Sequence, residues 1–351
     1  MEQESRLRIA QIAPLWMKIP PDTYGGIELL VKLLCDDLVA REHDVTLFAP
    51  GDAHSSAKLH AVSETNITDM MAENRVIYYE SYANAAVADA LREQDDFDVI
   101  HFHIGNQWLP FGSLAKTPAL FTMHTQPGPD DEWALVRYPQ VPIAGISRYQ
   151  IESIAALQGR KVPVIYNGCD FDSFDPSFEP GKYLAFLGRM SHDKNPLGAI
   201  QIAQQVGMPI VLAGAAQQPK EQFYFAEKIK PLIDGVNVRY IGPVNHEQKN
   251  RLLREAAALL FPVQWSEPFG LVMIEAMACG TPVIAHNLGS VSEVVDQGAT
   301  GFHADSIDAL PALVPQALAL DRASVRQHAM TRFGYRRMVD DYLNLYRSLI
   351  G

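Results

Sequence analysis

The feature that most constrains the fold is an alternation of short apolar runs with longer stretches of helical spacing. The runs fall at residues 8–13, 45–48, 99–102, 119–122, 143–145 and 164–165. Between them lie stretches such as Ile27, Leu30, Val31, Leu34 and Leu38, or residues 83–91, whose apolar positions recur every three or four residues. Strands that are apolar on both faces, separated by helices, predict a parallel sheet covered on both sides. The pattern restarts at residues 183–188 and continues through 210–213, 238–241, 259–261 and 283–285, which predicts a second doubly wound domain. Asn167-Gly168 is a strong turn signal and residues 176–181 read as linker, so the boundary is expected between about residues 166 and 180. The 351 residues are enough for two domains, each with its own core. In such sheets ligands bind beyond the carboxyl ends of the strands.

Composition narrows the class of protein. Apolar residues make up 48% of the chain, yet no uninterrupted run of about 18 marks a membrane span. The polar start Met1-Glu2-Gln3-Glu4-Ser5-Arg6 lacks the basic, apolar and cleavage regions of a secretory leader. A cytoplasmic protein with no stable membrane anchor is expected. Cys35, Cys169 and Cys279 are odd in number and widely spaced, against a disulfide framework or a four-cysteine zinc site. Residues 1–165 carry 13 Lys plus Arg against 22 Asp plus Glu, and residues 166–351 carry 16 against 19, so the halves hold formal charges of −9 and −3. Nucleic-acid binders and proteins that dock on anionic membranes need a basic face. Neither half offers one, which favours a soluble, neutral or cationic partner.

The chemistry concentrates in Ser266-Glu267-Pro268-Phe269-Gly270-Leu271-Val272-Met273-Ile274-Glu275. Pro268 and Gly270 disfavour a continuous helix, which places Glu267 in a loop and Glu275 on the helix that follows. The N–H groups around Phe269 to Val272 would open that helix, and such a terminus attracts anions. A diphosphate there leaves Glu267 facing whatever lies beyond it and puts a pentose within reach of Glu275, since carboxylates accept hydrogen bonds from paired hydroxyls. The competing reading makes Glu275 a solvated helix residue and Glu267 a helix cap. Arg189 and Lys194, five apart after a strand end, suit a leaving diphosphate as a planar fork and a compact cation; taken alone they would be ordinary surface charges.

Glu267 and Glu275, with seven residues between them and Pro-Phe-Gly-Leu inside, resemble the E-x7-E motif of retaining GT-B glycosyltransferases, in particular glycosyltransferase family four, the group 1 glycosyltransferases. Other segments follow in the family's order: Tyr24-Gly25-Gly26-Ile27-Glu28, Thr122-Met123-His124, Ile165-Tyr166-Asn167-Gly168-Cys169-Asp170, and Phe186-Leu187-Gly188-Arg189-Met190-Ser191-His192-Asp193-Lys194-Asn195. Residues 289–302, with Glu293 and Gly301, complete the set. The resemblance implies an α/β GT-B fold of two doubly wound Rossmann-like domains facing across a cleft. Residues 1–166 would form the acceptor-side domain, 167–334 the donor-side domain, and 335–351 a helix crossing back to the first.

It further implies a retaining, metal-independent hexosyltransferase that uses a nucleoside-diphosphate sugar, UDP before GDP, and a hydroxyl acceptor, with no cofactor. By carry-over, Gly25 and Gly26 let backbone approach the distal phosphate, while Gly188, Arg189 and Lys194 clamp the diphosphate. Val244 meets the base. Glu267 holds the sugar and phosphate with the helix start at Phe269, Gly270, Leu271 and Val272, and Glu275 binds the ribose. His124 lies near the transferred sugar, and His124, Arg189, Lys194 and Glu267 form the expected catalytic set.

His101 and His103, two apart on a strand, share one face and with His124 imitate a metal triad. No acid or cysteine spacing supports a metal, so His101 and His103 stand as acceptor-side candidates. Asp96-Phe97-Asp98 and Asp170-Phe171-Asp172 imitate the D-x-D of the other glycosyltransferase fold but lie outside the donor context. A nicotinamide-dependent oxidoreductase would need G-x-G-x-x-G after the first strand, where residues 14–24 intervene. Against a non-catalytic nucleotide-sugar binder stand the intact Arg189, Lys194, Glu267 and Glu275.

Overall fold

The apolar runs form strands, and in the computed structural model, which describes residues 5–22 and 25–351, these build two units. One unit comprises Met1–Gly168 and Tyr335–Gly351, the other Cys169–Gly334. The first holds β1 (Arg8–Ile12), β2 (Asp44–Pro50), β3 (Lys58–Ser63), β4 (Val99–Phe102), β5 (Ala119–Met123) and β6 (Ile143–Gly145). They form one parallel sheet in the order β3-β2-β1-β4-β5-β6. β4 and β5 are buried throughout, as helices on both faces require.

Two expectations differ at the edges. β3 is a strand that the apolar pattern does not reveal, because this edge strand, Lys-Leu-His-Ala-Val-Ser, is largely exposed. Conversely, Val164 makes an isolated bridge to Gly145 and forms no strand.

The helix Gly26–Ala40 buries Leu30, Val31, Leu34 and Leu38 at the spacing read from the sequence. The stretch expected at residues 83–91 is the longer helix Tyr79–Arg92. Phe102 and Phe121 are fully buried, and their rings stack 4.2 Å apart; each such side chain contributes about 1.5–3 kcal/mol on burial. The helix Tyr335–Ile350 presents Met338, Val339, Tyr342, Leu343 and Tyr346 as one buried stripe. It packs against the helix Gly26–Ala40 and β4, with Arg41 paired to Asp340 at its rim. The strand order reverses between β1 and β4, and ligands bind such sheets at that switch point. His103 follows β4 and His124 follows β5.

The second unit repeats the plan with β7 (Tyr183–Leu187), β8 (Ile210–Ala213), β9 (Val238–Tyr240), β10 (Ala256–Phe261), β11 (Val283–His286) and β12 (Gly301–Ala304). Its parallel sheet runs β12-β11-β10-β7-β8-β9. β12 too went unread, since Gly-Phe-His-Ala carries little strand signal. The order reverses between β7 and β10. Gly188 and Arg189 follow β7, and residues 262–270 link β10 to the helix Leu271–Ala278.

Candidate functional site

In the second unit Glu267, Glu275 and Glu221 are each matched to a cation. The loop after β7 ends at Asn195, whose side chain accepts from Gly198 N at 2.9 Å and donates to Pro262 O at 3.0 Å. That tie to the end of β10 fixes the preceding Lys194. Lys194 pairs with Glu267, its ammonium lies 4.8 Å from the Trp265 ring centroid, and Trp265 Nε1 donates to the same Glu267 oxygen at 3.0 Å. Glu275, on the helix, pairs with Lys249 and is 13% exposed. It is therefore not the solvated residue of the competing reading.

Glu267 is not the helix cap either. That position is Gly270, at φ 83, where an added Cβ would meet Met273 Cε at 2.6 Å. Glu267 is instead held by its backbone, bridged to Gly289, with Ser290 N donating to Glu267 O at 2.8 Å. Gly289, at φ 70, permits the approach, since a Cβ there would lie 2.2 Å from Glu267 O. Phe269 is buried against Phe333, while Leu271 and Val272 open the helix partly exposed.

Arg189 donates to Glu221 at 2.6 Å, and Glu221 is 1% exposed on its side chain. The Glu221 carboxylate also accepts from Gln217 N at 2.9 Å and Gln218 N at 3.2 Å. Removing Arg189 would leave a buried carboxylate without its counter-charge, which is strongly unfavourable. Gly188 continues the β7 ladder, its N–H donating to Ala213 O at 3.1 Å. Val244 is buried in the loop between β9 and the helix His246–Glu255.

The first unit carries a different cluster. His103 Nε2 lies 2.7 Å from Gln11 Oε1, and His103 Nδ1 lies 2.9 Å from His124 Nε2. Gln11 Nε2 donates to Tyr346 Oη at 3.0 Å, and that oxygen lies 2.7 Å from His101 Nδ1. His101 Nε2 reaches Thr122 Oγ1 at 2.7 Å, which in turn meets Tyr342 Oη at 3.0 Å. Burial pushes the imidazoles of His101 and His103 well below their ordinary range and that of His124 down to about 4.

This arrangement corrects one expectation. His101 is 0% exposed beneath Tyr342 and Tyr346, with both ring nitrogens bonded, so it has no surface to offer an acceptor. The alternating pattern of β4 put both histidines on one face, and that face is the one the helix Tyr335–Ile350 covers. His103 is 3% exposed at the strand end. Gly25 precedes the helix Gly26–Ala40, and Tyr24 lies outside the described residues.

The Asp-Phe-Asp segments have local structural partners: Asp98 pairs with Arg8, and Asp170 accepts from Asp172 N. Among the described residues no group of three or more His, Cys, Asp or Glu is arranged to hold a metal. Cys35, Cys169 and Cys279 are buried free thiols, pushed up by burial. Sequence reasoning missed Glu221, Lys249 and Trp265. Glu221 had one local signal, the capping box from Gln218 to Glu221; Lys249 had none.

Residues 170–335 match the model of glycosyl transferases group 1, and residues 24–173 match that of glycosyltransferase family 4. D-inositol 3-phosphate glycosyltransferases of Mycobacterium tuberculosis and Mycobacterium bovis are each 28% identical over 320 residues, covering 75% of this chain and 64% of the relative. The match thus spans less than two thirds of those relatives. The crystal structure of AviGT4, a glycosyltransferase involved in avilamycin A biosynthesis, is 26% identical with a TM-score of 0.70 and covers 98% of both chains. HepE of Anabaena, in complex with UDP and glucose, superposes with a TM-score of 0.74 at 18% identity over 98% of this chain and 100% of that one. Sucrose-phosphate synthase of Thermosynechococcus elongatus gives 0.77 at 20% identity over 98% and 99%; at such identities these two speak to the fold alone. The two family models run between them from residue 24 to residue 335, and the chain belongs to the group 1 glycosyltransferases, with a family 4 N-terminal domain and the GT-B fold.

Proposed function

We propose that the chain is a retaining glycosyltransferase that moves a hexose-type sugar from a nucleoside diphosphate, UDP before GDP, to a hydroxyl of a soluble acceptor, in the cytoplasm and without a metal. The observation that carries this reading is the Lys194–Glu267 pair beside the start of the helix Leu271–Ala278, with the Lys249–Glu275 pair on that helix. Cation, carboxylate and helix start are the parts a sugar diphosphate needs. UDP is the nucleotide to test first, because HepE of Anabaena, a protein of the same fold, has structures that hold UDP and UDP-glucose. No helix among the described residues is long and apolar enough to cross a membrane.

In this reading the second unit is the donor side and the first the acceptor side. Breakage of the anomeric C–O bond to the diphosphate puts negative charge on the leaving phosphate. Arg189, Lys194 and the first-turn N–H groups at Leu271 and Val272 meet that charge, with Gly188 giving the phosphate room. A bound diphosphate competes with Glu267 for the Lys194 ammonium, which frees the carboxylate to accept from sugar hydroxyls. Glu275 takes the ribose hydroxyls and Val244 contacts the base. In the first unit Gly25 and Gly26 admit a phosphate, His124 meets a sugar hydroxyl and His103 flanks it. The acceptor oxygen bonds to the anomeric carbon on the face the phosphate leaves, and its proton passes to a phosphate oxygen.

The test is incubation with UDP- and GDP-hexoses in excess EDTA, against an acceptor panel that includes polyols and polyol phosphates, because the mycobacterial relatives are named for one. NMR of the product should show the donor's anomeric configuration retained and UDP preferred. An inverted product, loss of transfer restored by Mn²⁺ or Mg²⁺, or donor binding without turnover would each overturn the corresponding part.

A further inference from the structure

The polar chain in the first unit has a direction. Gln11 Oε1 can only accept, so the 2.7 Å contact makes His103 Nε2 a donor. A neutral imidazole carries one N–H, so His103 Nδ1 accepts, and His124 Nε2, 2.9 Å away, must donate to it. His124 Nδ1 is then a bare lone pair, and it is a buried atom with no hydrogen-bond partner among the described residues. Gln126 Oε1, two residues on in the same loop, is a second buried acceptor in that condition.

At the other end, Tyr346 Oη accepts from Gln11 Nε2 and lies 2.7 Å from His101 Nδ1; the amide orientation is locked when that hydroxyl donates to His101 Nδ1, which leaves His101 Nε2–H to bond Thr122 Oγ1. Reversing the Gln11 amide would reverse every link and turn His124 Nδ1 into an N–H. The partners of that amide therefore decide what His124 presents.

We propose that Gln11 and Tyr346 are positioning residues that hold His124 as the Nε2–H tautomer, so that its Nδ1 meets a ligand as a hydrogen-bond acceptor and selects a hydroxyl over a phosphate oxygen. The tautomer stands on the hydrogen-bond chain between neutral rings; the hydroxyl being that of a transferred sugar rests on the glycosyl-transfer reading. Burial supports it by keeping all three imidazoles neutral at pH 7. The enclosed Nδ1 also means that a donor reaching it would satisfy a buried acceptor, which is worth more than a contact at an open surface.

Long-range ¹H–¹⁵N NMR of the full chain labelled with ¹⁵N-histidine, at pH 7, reads the tautomers directly. The expected spectrum has a protonated Nε2 and an unprotonated Nδ1 at His124, His103 and His101; a protonated His124 Nδ1 in the wild-type protein overturns the proposal, whatever the variants do. Tyr346→Phe removes the hydroxyl that orients the amide, and a second His124 tautomer should appear, since one neutral hydrogen bond is worth about a fivefold preference. Persistence of the single Nε2–H form in that variant would remove Tyr346 from its role. Gln11→Leu should mix the tautomers of both His103 and His124.

UDP-glucose should shift the His124 Nδ1 resonance and UDP alone should not. A shift with UDP alone overturns the hydroxyl assignment, and no shift with either removes the ligand role. If the tautomers are as stated but no sugar is ever transferred, the function reading fails and the positioning does not.

Discussion

The two units share a strand order and differ in what they place at corresponding strand ends. Beyond β4 and β5 of the first, the polar side chains join through hydrogen bonds among imidazoles, an amide and hydroxyls. Beyond β7 and β10 of the second, Arg189, Lys194, Glu221 and Glu267 meet as ion pairs. Coverage explains the contrast. The helix Tyr335–Ile350 lies over the first cluster and burial drives its imidazoles neutral, whereas Arg189 and Lys194 keep 28% and 18% of their side chains exposed. Topology supplies the position of a site, and burial selects whether it handles charge or hydrogen-bond direction.

The sharpest way to break this comparison is to remove the cations of the second unit. If, as proposed, they meet charge that grows in the transition state, Arg189→Ala or Lys194→Ala should each lower kcat about 10²- to 10³-fold, with a smaller change in donor affinity. Arg189→Lys should stay impaired, since a point charge cannot replace the fork. Near-normal turnover of the double Ala variant in a steady-state assay would show that the charged cluster does not serve chemistry. Next in size is Glu275→Ala, expected to weaken donor binding roughly 10- to 150-fold, the worth of a hydrogen bond to a charged group; calorimetry with UDP checks it. Glu221→Gln keeps the shape but takes the counter-charge from Arg189, and a fall of about tenfold in kcat is expected, the effect of a contact worth about 1.4 kcal/mol. An unchanged kcat would mean that the Arg189–Glu221 pair is there for stability.

The smallest effect sharpens the other half of the comparison. The imidazoles of His101, His103 and His124 have folded pKa values below the unfolded value of about 6.5, so the unfolded chain binds more protons as pH falls below that point. Stability should be complete above pH 6.5 and fall as pH drops toward about 4 at His124, by at most about 1.4 kcal/mol per pH unit for each such histidine. Urea melts at pH 7.5 and 5.5 should show it, and His124→Gln should flatten the dependence. A pH-independent midpoint would contradict the neutral network.

Legibility followed burial and sequence distance. β4 and β5 stood out because both faces are buried, whereas β3 is a half-wet edge strand and β12 contains Gly301 and His303. The loop-then-helix placement of Glu267 and Glu275 was legible because Pro268 and Gly270 act locally. Their cations were harder. Lys194 was read through its own segment, but Lys249 lies 26 residues from Glu275, and Glu221 lies 32 from Arg189 on a helix with no site signal. His101 was misplaced because alternation along a strand reports which residues share a face and says nothing about what covers it. The cover here comes from residues 245 positions away.

The helix Tyr335–Ile350 also sets an order of completion during synthesis. Tyr346 reaches Gln11 across 335 positions, so the first unit's polar network cannot close until that helix has left the ribosome. Cys169–Gly334 is continuous and can fold while the earlier residues still wait. For that interval the His101 face of the sheet is bare, an apolar and polar surface without its cover. A chain stopped at Gly334 should therefore yield a folded second unit attached to an aggregation-prone first one, and supplying the helix as a separate peptide should rescue its solubility.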